Sequence, residues 1–353
     1  MKSAPRILLP AIFTFVSLII LSACAKKTVL LTDPWQALHL LNYNTDRDLE
    51  QLSSILPQLS KKGVNVLFLE IDYHLEFESH PELRQGKEQI SKRIAGEFAQ
   101  HCKDLGIRLI PQFQCFGHQS WAKETYPLLT VYPELDLTPG AFADNKDIYC
   151  REWDPYNPRV NKIVFALMDE IIDAFQADAI HVGMDEVFLI TSDFAPSTNE
   201  RDPAEVYAKV VNDMYDHLVR TRGVEMLMWG DRFINASDIN YGEWEAANNG
   251  TAPAIEMVPN DIIICDWHYE PREAYESVPL FLEKGFRVLP SGWKNVKASQ
   301  AFISYSHTFD DDRMLGHLFT TWSKMDADAL LAFEPMVRGL TLIEELNSQP
   351  KKH

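Results

Sequence analysis

The sequence predicts an α/β fold, a (β/α)8 TIM barrel in a single domain, from three observations. Short apolar runs alternate with amphipathic stretches along the whole chain; eight of those runs are strand-like; and no glycine-rich phosphate loop follows the first of them. Parallel strands need a crossover to return the chain to the same end of the sheet, and alternation is the imprint of those crossovers. A nucleotide-binding doubly wound sheet would carry the missing glycine-rich turn, so closure into a barrel is the better solution.

The eight candidate strands are Ala37 to Leu41, Val64 to Glu70, Arg108 to Phe113, Ala179 to Gly183, Glu225 to Trp229, Ile262 to Asp266, Arg287 to Pro290 and Leu318 to Thr321. Helical stretches fall between several of them: Asp46 to Lys61, Lys87 to Asp104, Val160 to Phe175, Pro203 to Thr221 and Arg272 to Lys284. In the third of these, Ile163, Val164, Leu167, Ile171, Ile172 and Phe175 recur with the period of a helix laid against a barrel. No helical period is visible after the fifth strand, between Ser237 and Val258. The barrel is expected to occupy residues 35–348, without a low-complexity linker or a fixed repeat inside it.

Ahead of it, residues 1–23 read as an export signal. Lys2 and Arg6 supply positive charge, about fifteen mainly apolar residues follow from Ile7 to Leu21, and Leu21-Ser22-Ala23-Cys24 closes the segment. The apolar run is shorter than the ~20 residues needed to span a bilayer. The closing tetrapeptide resembles the lipobox of bacterial lipoproteins. That resemblance implies cleavage before Cys24, lipidation of Cys24, a tether over residues 24–34 and a membrane-anchored protein of the cell envelope.

The chain carries a formal charge of −18, and removal of two basic residues with the signal leaves about −20. Such a surface repels nucleic acid and anionic lipid, which leaves anchoring to the lipid and favours neutral or cationic ligands. Cys102, Cys115, Cys150 and Cys265 are widely spaced, with no CxxC and no Cys/His cluster, so neither a metal nor a cofactor is expected. Burial as small apolar residues and pairing in an oxidising compartment both remain open for them. Oligomeric state is not legible.

Reactive groups of such barrels sit where strands end, on the C-terminal face. Here those positions hold Glu70 and Asp72, Gly117-His118, Asp185-Glu186, Trp229 and Asp231, Asp266-Trp267 and Tyr269, Trp293, and Trp322. Carboxylates and aromatic rings on one rim describe a sugar site, because ring faces stack on the C–H faces of pyranoses while carboxylates handle protons and hydroxyls. Four of the eight tryptophans stand at the ends of the last four strands.

The catalytic candidates are Asp185 and Glu186, in His181-Val182-Gly183-Met184-Asp185-Glu186, directly after the apolar pair Ala179-Ile180. Asp169-Glu170 is the same dipeptide inside an amphipathic helix, where it reads as a solvated face, so the strand-end placement is what raises the later pair. Neighbours on a regular strand point to opposite faces, so two adjacent carboxylates are poorly placed to flank one glycosidic bond. A substrate with a 2-acetamido group removes that demand: its own carbonyl oxygen attacks the anomeric carbon. Glu186 then serves as acid and base, and Asp185 holds the acetamide N–H and the positive charge of the oxazolinium.

His181-x-Gly183-x-Asp185-Glu186 resembles the signature of glycoside hydrolase family 20, the β-N-acetylhexosaminidases. The run from Ile110 to His118 resembles that family's strand-3 motif ending in Gly-His, and Leu69-Glu70-Ile71-Asp72-Tyr73 the acidic strand-2 end of its hexosaminidase D branch. The resemblance spans roughly residues 35–325. It implies that His118 supports the acid/base network, that Tyr269 binds the acetamide carbonyl, and that Trp229, Trp267, Trp293 and Trp322 wall the acetamide and sugar pocket; Glu70, Asp72 and Asp231 are substrate-binding candidates by their strand-end placement. Three departures stand out: Met184 replaces a glycine, Gln36-Ala37-Leu38-His39-Leu40 lacks the strand-1 arginine that grips sugar hydroxyls, and Ser323-Lys324 follows Trp322 where many members carry a glutamate.

The expected function is hydrolysis of terminal β-linked N-acetylglucosamine or N-acetylgalactosamine from glycans. Two alternatives are a glycosidase for sugars without the acetamido group, with Glu70 or Asp231 as partner carboxylate, and a surface lipoprotein that binds glycans without cleaving them. The last keeps the tryptophans and has no need of Glu186.

Overall fold

The computed structural model describes residues 34–348. Cys24 and the export segment lie outside the described residues. Eight strands close into an all-parallel barrel in chain order: β1 (Trp35–Leu40), β2 (Val66–Glu70), β3 (Arg108–Cys115), β4 (Ala179–Gly183), β5 (Glu225–Trp229), β6 (Ile263–Trp267), β7 (Arg287–Gly292) and β8 (Gly316–Thr320). Closure is made by β1 against β8, with Ala37 opposite Leu318 and Leu38 opposite Phe319.

Each strand is buried on both faces, which is why the strands read as apolar runs rather than as clean alternation. Ala37, Val66, Ile110, Leu227, Ile263 and Leu318 belong to one cluster that fills the barrel. Their neighbours Leu38, Leu67, Met226, Ile264 and Phe319 join the outer core under the helices. The crossover helices start on side-chain caps: Thr45 for α1 (Asp46–Lys61), Ser91 for α2 (Lys92–Asp104), Asn157 for α3 (Pro158–Ala174) and Asp202 for α4 (Pro203–Tyr215). Three further helices complete the outer layer: α5 (Ser277–Glu283), α6 (Val296–Ser306) and α7 (Glu334–Ser348).

Three helix boundaries differ from expectation. The second helix begins at Lys92 rather than Lys87, because Ile90 bridges to Leu75 and the chain turns into a helix only where Ser91 caps it. Residues 272–276 stay irregular, held by Arg272 to Glu245 (3.0 Å) and by the Tyr275 hydroxyl to the Glu270 carbonyl (3.2 Å). The fourth helix is α-helical only to Tyr215 and finishes as a π-helix over Asp216–Thr221. The helix that was invisible after the fifth strand is replaced by one turn at Gly242–Glu245 and a 3-10 segment at Ala252–Glu256. Cys102, Cys115, Cys150 and Cys265 are free and buried. No helix among the described residues is long and apolar enough to cross a membrane.

Candidate active site

The site is built around the end of β4. Regular strand geometry stops at Gly183, and the chain then takes left-handed conformations at Gly183 (φ 66°), Met184 (φ 76°) and Glu186 (φ 52°). Glycine is required at 183: a Cβ there would lie 2.1 Å from Gln114 Oε1. The Gln114 side chain crosses at that point to donate from Nε2 to Asp185 Oδ1 at 2.5 Å. The strained turn is held by the Tyr207 hydroxyl, which donates to the Met184 carbonyl (2.7 Å), and by Asp231 Oδ2, which accepts from the Glu186 backbone N–H (3.0 Å).

This turn corrects the strand-alternation expectation for the two carboxylates. Because the strand has already ended, both point to one imidazole: His118 Nε2 lies 3.0 Å from Glu186 Oε2 and 3.5 Å from Asp185 Oδ2. Gly117 allows the approach, its Cα side lying so near the Asp185 carbonyl that a Cβ would stand 2.9 Å from it. Burial opposes a charge on His118, yet the neighbouring Asp185 carboxylate outweighs it and holds the imidazole well above its usual value. Burial likewise opposes ionisation of Asp185, but His118 and the Gln114 hydrogen bond hold its carboxyl below the ordinary carboxylate range. Both shifts favour the charged forms, an ionised Asp185 beside a protonated His118.

Asp185 and Glu186 thus meet at one imidazole nitrogen and form a single cluster with His118. The donor atoms of His118, Asp185 and Glu186 also lie within 4.8 Å of one another, the one such grouping among the described residues with the geometry to hold a metal ion.

Next to this centre runs a row of amides. Gln112 Nε2 donates to Glu70 Oε2 (3.0 Å) and to Gln114 Oε1 (3.3 Å), and His39 Nε2 stands 3.2 Å from Gln112 Oε1. Asp72 (φ 44°) accepts from the Gln114 backbone N–H at 2.8 Å. Burial raises Asp72 to about 6, and burial together with Asp72 raises Glu70 well above the carboxylate range. Both side chains are partly exposed, at the wall that ends in Asp185.

The aromatic wall comes from the later strands. Trp267 and Tyr269 rings are 5.0 Å apart, Tyr269 and Trp293 5.5 Å, and Trp322 Nε1 donates to the Tyr269 hydroxyl at 2.8 Å. Trp229 lies deepest, 1% exposed, 4.6 Å from the His181 ring and 5.7 Å from Trp322, with its indole N–H unpartnered among the described residues. Asp231 is 2% exposed and makes its contacts within the protein, accepting from Glu186 N, from Arg232 Nε (2.6 Å) and from Trp267 Nε1 (3.3 Å). Burial raises it to about 6. Of the strand-end residues singled out from sequence, His118, Asp185, Glu186, Glu70 and Asp72 group on one side and Trp267, Tyr269, Trp293 and Trp322 on the other. Trp229 and Asp231 lie buried beneath them, and Asp266, 1% exposed, is turned away from them to accept from Ser277 at the start of α5 (2.7 Å).

The family model for the glycosyl hydrolase family 20 catalytic domain matches residues 47–307. The chain belongs to glycosyl hydrolase family 20. A β-hexosaminidase of Emericella nidulans is 21% identical over 274 residues, covering 68% of this chain and 40% of that enzyme. A lacto-N-biosidase of Bifidobacterium bifidum is 24% identical over 155 residues, 41% of this chain and 13% of the other. Among solved structures, Flavobacterium johnsoniae chitobiase superposes with a TM-score of 0.62 at 18% identity, covering 89% of this chain and 52% of that one. The chain therefore spans less than half the length of these curated relatives and about half of that solved structure.

As a family 20 domain the protein places its Asp-Glu pair at the fourth strand end, where the sequence motif located it. Gln112 and Gln114 were not singled out from sequence, although two glutamines inside an otherwise apolar strand were a legible signal. Tyr207 and Arg232, which brace the turn, carried no strand-end signal at all.

Proposed function

We propose that the protein is a β-N-acetylhexosaminidase that removes terminal β-linked N-acetylglucosamine or N-acetylgalactosamine by substrate-assisted, retaining catalysis. The observation that supports this reading is the convergence of Asp185 and Glu186 on His118, with Asp185 held by Gln114, which puts a candidate acid/base beside a carboxylate fixed to receive an amide N–H while the substrate's own acetamide oxygen serves as nucleophile. Glu186 protonates the glycosidic oxygen as the bond breaks and the acetamide oxygen closes on C1. Asp185, held by Gln114, accepts the acetamide N–H and balances the positive charge of the oxazolinium. Glu186 then takes a proton from water as it opens the ring, which restores the acid and leaves the product with its original anomeric configuration. Tyr269, with Trp267, Trp293 and Trp322, walls the acetamide and sugar ring. In this reading Glu70 and Asp72 take sugar hydroxyls in place of the absent strand-1 arginine.

The names of the relatives support the same activity, and the acidic strand-2 end supports placement in the hexosaminidase D branch. Aryl glycosides with and without the 2-acetamido group, assayed with a thiazoline inhibitor, test the mechanism. The acetamido substrates should turn over and be blocked by the thiazoline, and Glu186→Gln should lower kcat by about 10²- to 10⁴-fold. Equal turnover of the plain glucoside would sink substrate assistance, and equal turnover of the variant would sink the role of Glu186.

The export segment supports a further reading, that the protein is a lipoprotein of the cell envelope anchored through Cys24. In a bacterial host fed a labelled fatty acid, the wild type should carry label in the membrane fraction and Cys24→Ala should lose it. Label retained in the variant would refute the assignment.

A further inference from the structure

His268 stands in the chain between Trp267 and Tyr269, two rings of the wall that closes on the acetamido group in the proposed reaction. Its own side chain is fully buried on the other side of the strand end, against Ser277 of α5 and Phe302 of α6. There Nδ1 lies 2.6 Å from Glu245 Oε2, and Nε2 lies 3.0 Å from Asp266 Oδ1. Both ring nitrogens face carboxylates, whereas a neutral imidazole carries a single N–H. Ser277 does not relieve this, because its hydroxyl donates to Asp266 Oδ2 (2.7 Å) and is left to accept from Nε2 (2.9 Å). The geometry is that of an imidazolium with both protons in place.

The charge completes a balanced cluster. Arg272 donates to the same Glu245 oxygen at 3.0 Å, so two carboxylates meet one guanidinium and one imidazolium. Loss of the histidine proton would strip a buried carboxylate of its donor, a heavy penalty for groups as enclosed as Asp266. Burial opposes the charge on His268, yet Asp266 and Glu245 outweigh it and raise the imidazole to about 9. Burial likewise opposes the charge on Glu245, but His268 and Arg272 hold its carboxyl below the ordinary range. The other titratable groups against the ring are phenols, Tyr241 from the loop after β5 (centroids 4.3 Å apart) and Tyr275 from the segment before α5 (5.5 Å). Burial pushes Tyr241 up to about 12 and raises Tyr275, so His268 is the group of this cluster that loses its proton first as pH climbs.

The cluster joins three segments. Glu245 ends the single turn Gly242–Glu245 that stands in for a helix after β5, Asp266 and His268 belong to the end of β6, and Ser277 opens α5. The other oxygen of Glu245 accepts from the Tyr269 backbone N–H at 3.5 Å, and the Tyr269 hydroxyl accepts from Trp322. Tyr269 is thus held at its backbone through Glu245 and at its ring by the wall. We propose that His268 is a positioning residue sensitive to pH: as an imidazolium it pins Glu245 and its turn to the end of β6 and so fixes Tyr269, and loss of its proton loosens the grip on the acetamido group without touching Glu186. This inference rests on the proposed activity for what Tyr269 holds.

The test follows the dissociation constant of a thiazoline inhibitor, with KM and kcat for an aryl N-acetylglucosaminide, between about pH 6 and pH 10. In the wild type the dissociation constant and KM should stay level to about pH 8 and then rise, up to about 10-fold at pH 10, where a group titrating near 9 has lost most of its protons. Glu245→Gln removes one carboxylate and should move that rise to lower pH by roughly one to three units. His268→Gln should bind weakly already at pH 7 and show no rise of its own, a loss of pH dependence that a merely structural side chain would not produce. A rise that keeps its place in Glu245→Gln would overturn the inference, and so would wild-type affinity that stays level to pH 10, which decides the matter even where a variant does not fold. If the wild type neither turns over the substrate nor binds the thiazoline at any pH, the proposed activity fails, and the ring is then read directly. Nitrogen-15 spectra of histidine-labelled protein should show both His268 nitrogens protonated at neutral pH, and a neutral ring there would end the proposal.

Discussion

At the residue scale the site is an exercise in charge placement. His118 gains its proton affinity against a burial penalty, through Asp185, and so contributes to stability only while it is protonated and Asp185 ionised. A histidine with a raised folded value gives stability that is fully present below its unfolded value of about 6.5 and disappears as pH climbs through the folded one. Asp185 has the opposite sign: its contribution is present above its unfolded value, about 3.9, and disappears as pH falls through the depressed folded one. Urea unfolding of wild type and His118→Gln should therefore differ most between those limits, with the gap closing at alkaline pH. A difference that widened steadily above pH 8 would contradict the pairing.

At the element scale the decisive feature is how β4 ends. A strand continuing in regular alternation would have sent Asp185 and Glu186 to opposite faces; the left-handed turn from Gly183 to Glu186 sends both to His118. Gly183→Ala combines a left-handed φ with a Cβ placed 2.1 Å from the Gln114 amide. It should cost about 1–3 kcal/mol in stability and, by displacing the amide from Asp185, lower kcat more than it raises KM. Chemical denaturation and steady-state kinetics read the two effects separately, and a fully active, fully stable variant would show that Gln114 has another route to Asp185. The same element scale explains the bulge in pairing between β3 and β4, whose register shifts between Gln112 and Cys115 just where the amides must turn toward the site.

At the scale of the whole molecule, stability and chemistry occupy opposite ends of the barrel. At the N-terminal ends of the strands, Arg108 donates to Asp178 (2.9 Å) and to Glu225 (2.6 Å), and Arg287 donates to the other oxygen of Glu225 (2.5 Å), joining β3, β5 and β7. Burial opposes the Glu225 charge, and the two guanidinium groups more than offset it. Glu225→Gln should lower stability by ~1–3 kcal/mol and the Tm with it, while kcat measured well below the Tm stays at the wild-type value. A kcat loss at that temperature would mean that the two ends are coupled through the strands.

By itself the sequence determined the barrel, the strand ends and the acidic pair, because these depend on local apolar periodicity and on a motif confined to six residues, His181 to Glu186. It also marked His118, Tyr269 and the later tryptophans, since position at a strand end suffices to place them on one face. Only the tertiary structure decided that both carboxylates meet at His118 and that Asp231 serves the backbone of Glu186. It alone set His268 against Glu245, which the loop after β5 carries. Backbone left-handedness and contacts between distant loops leave no period in a sequence, for they arise from closure of the barrel and from buried groups such as Arg232 and Gln114, whose partners are chosen only once the strands are side by side.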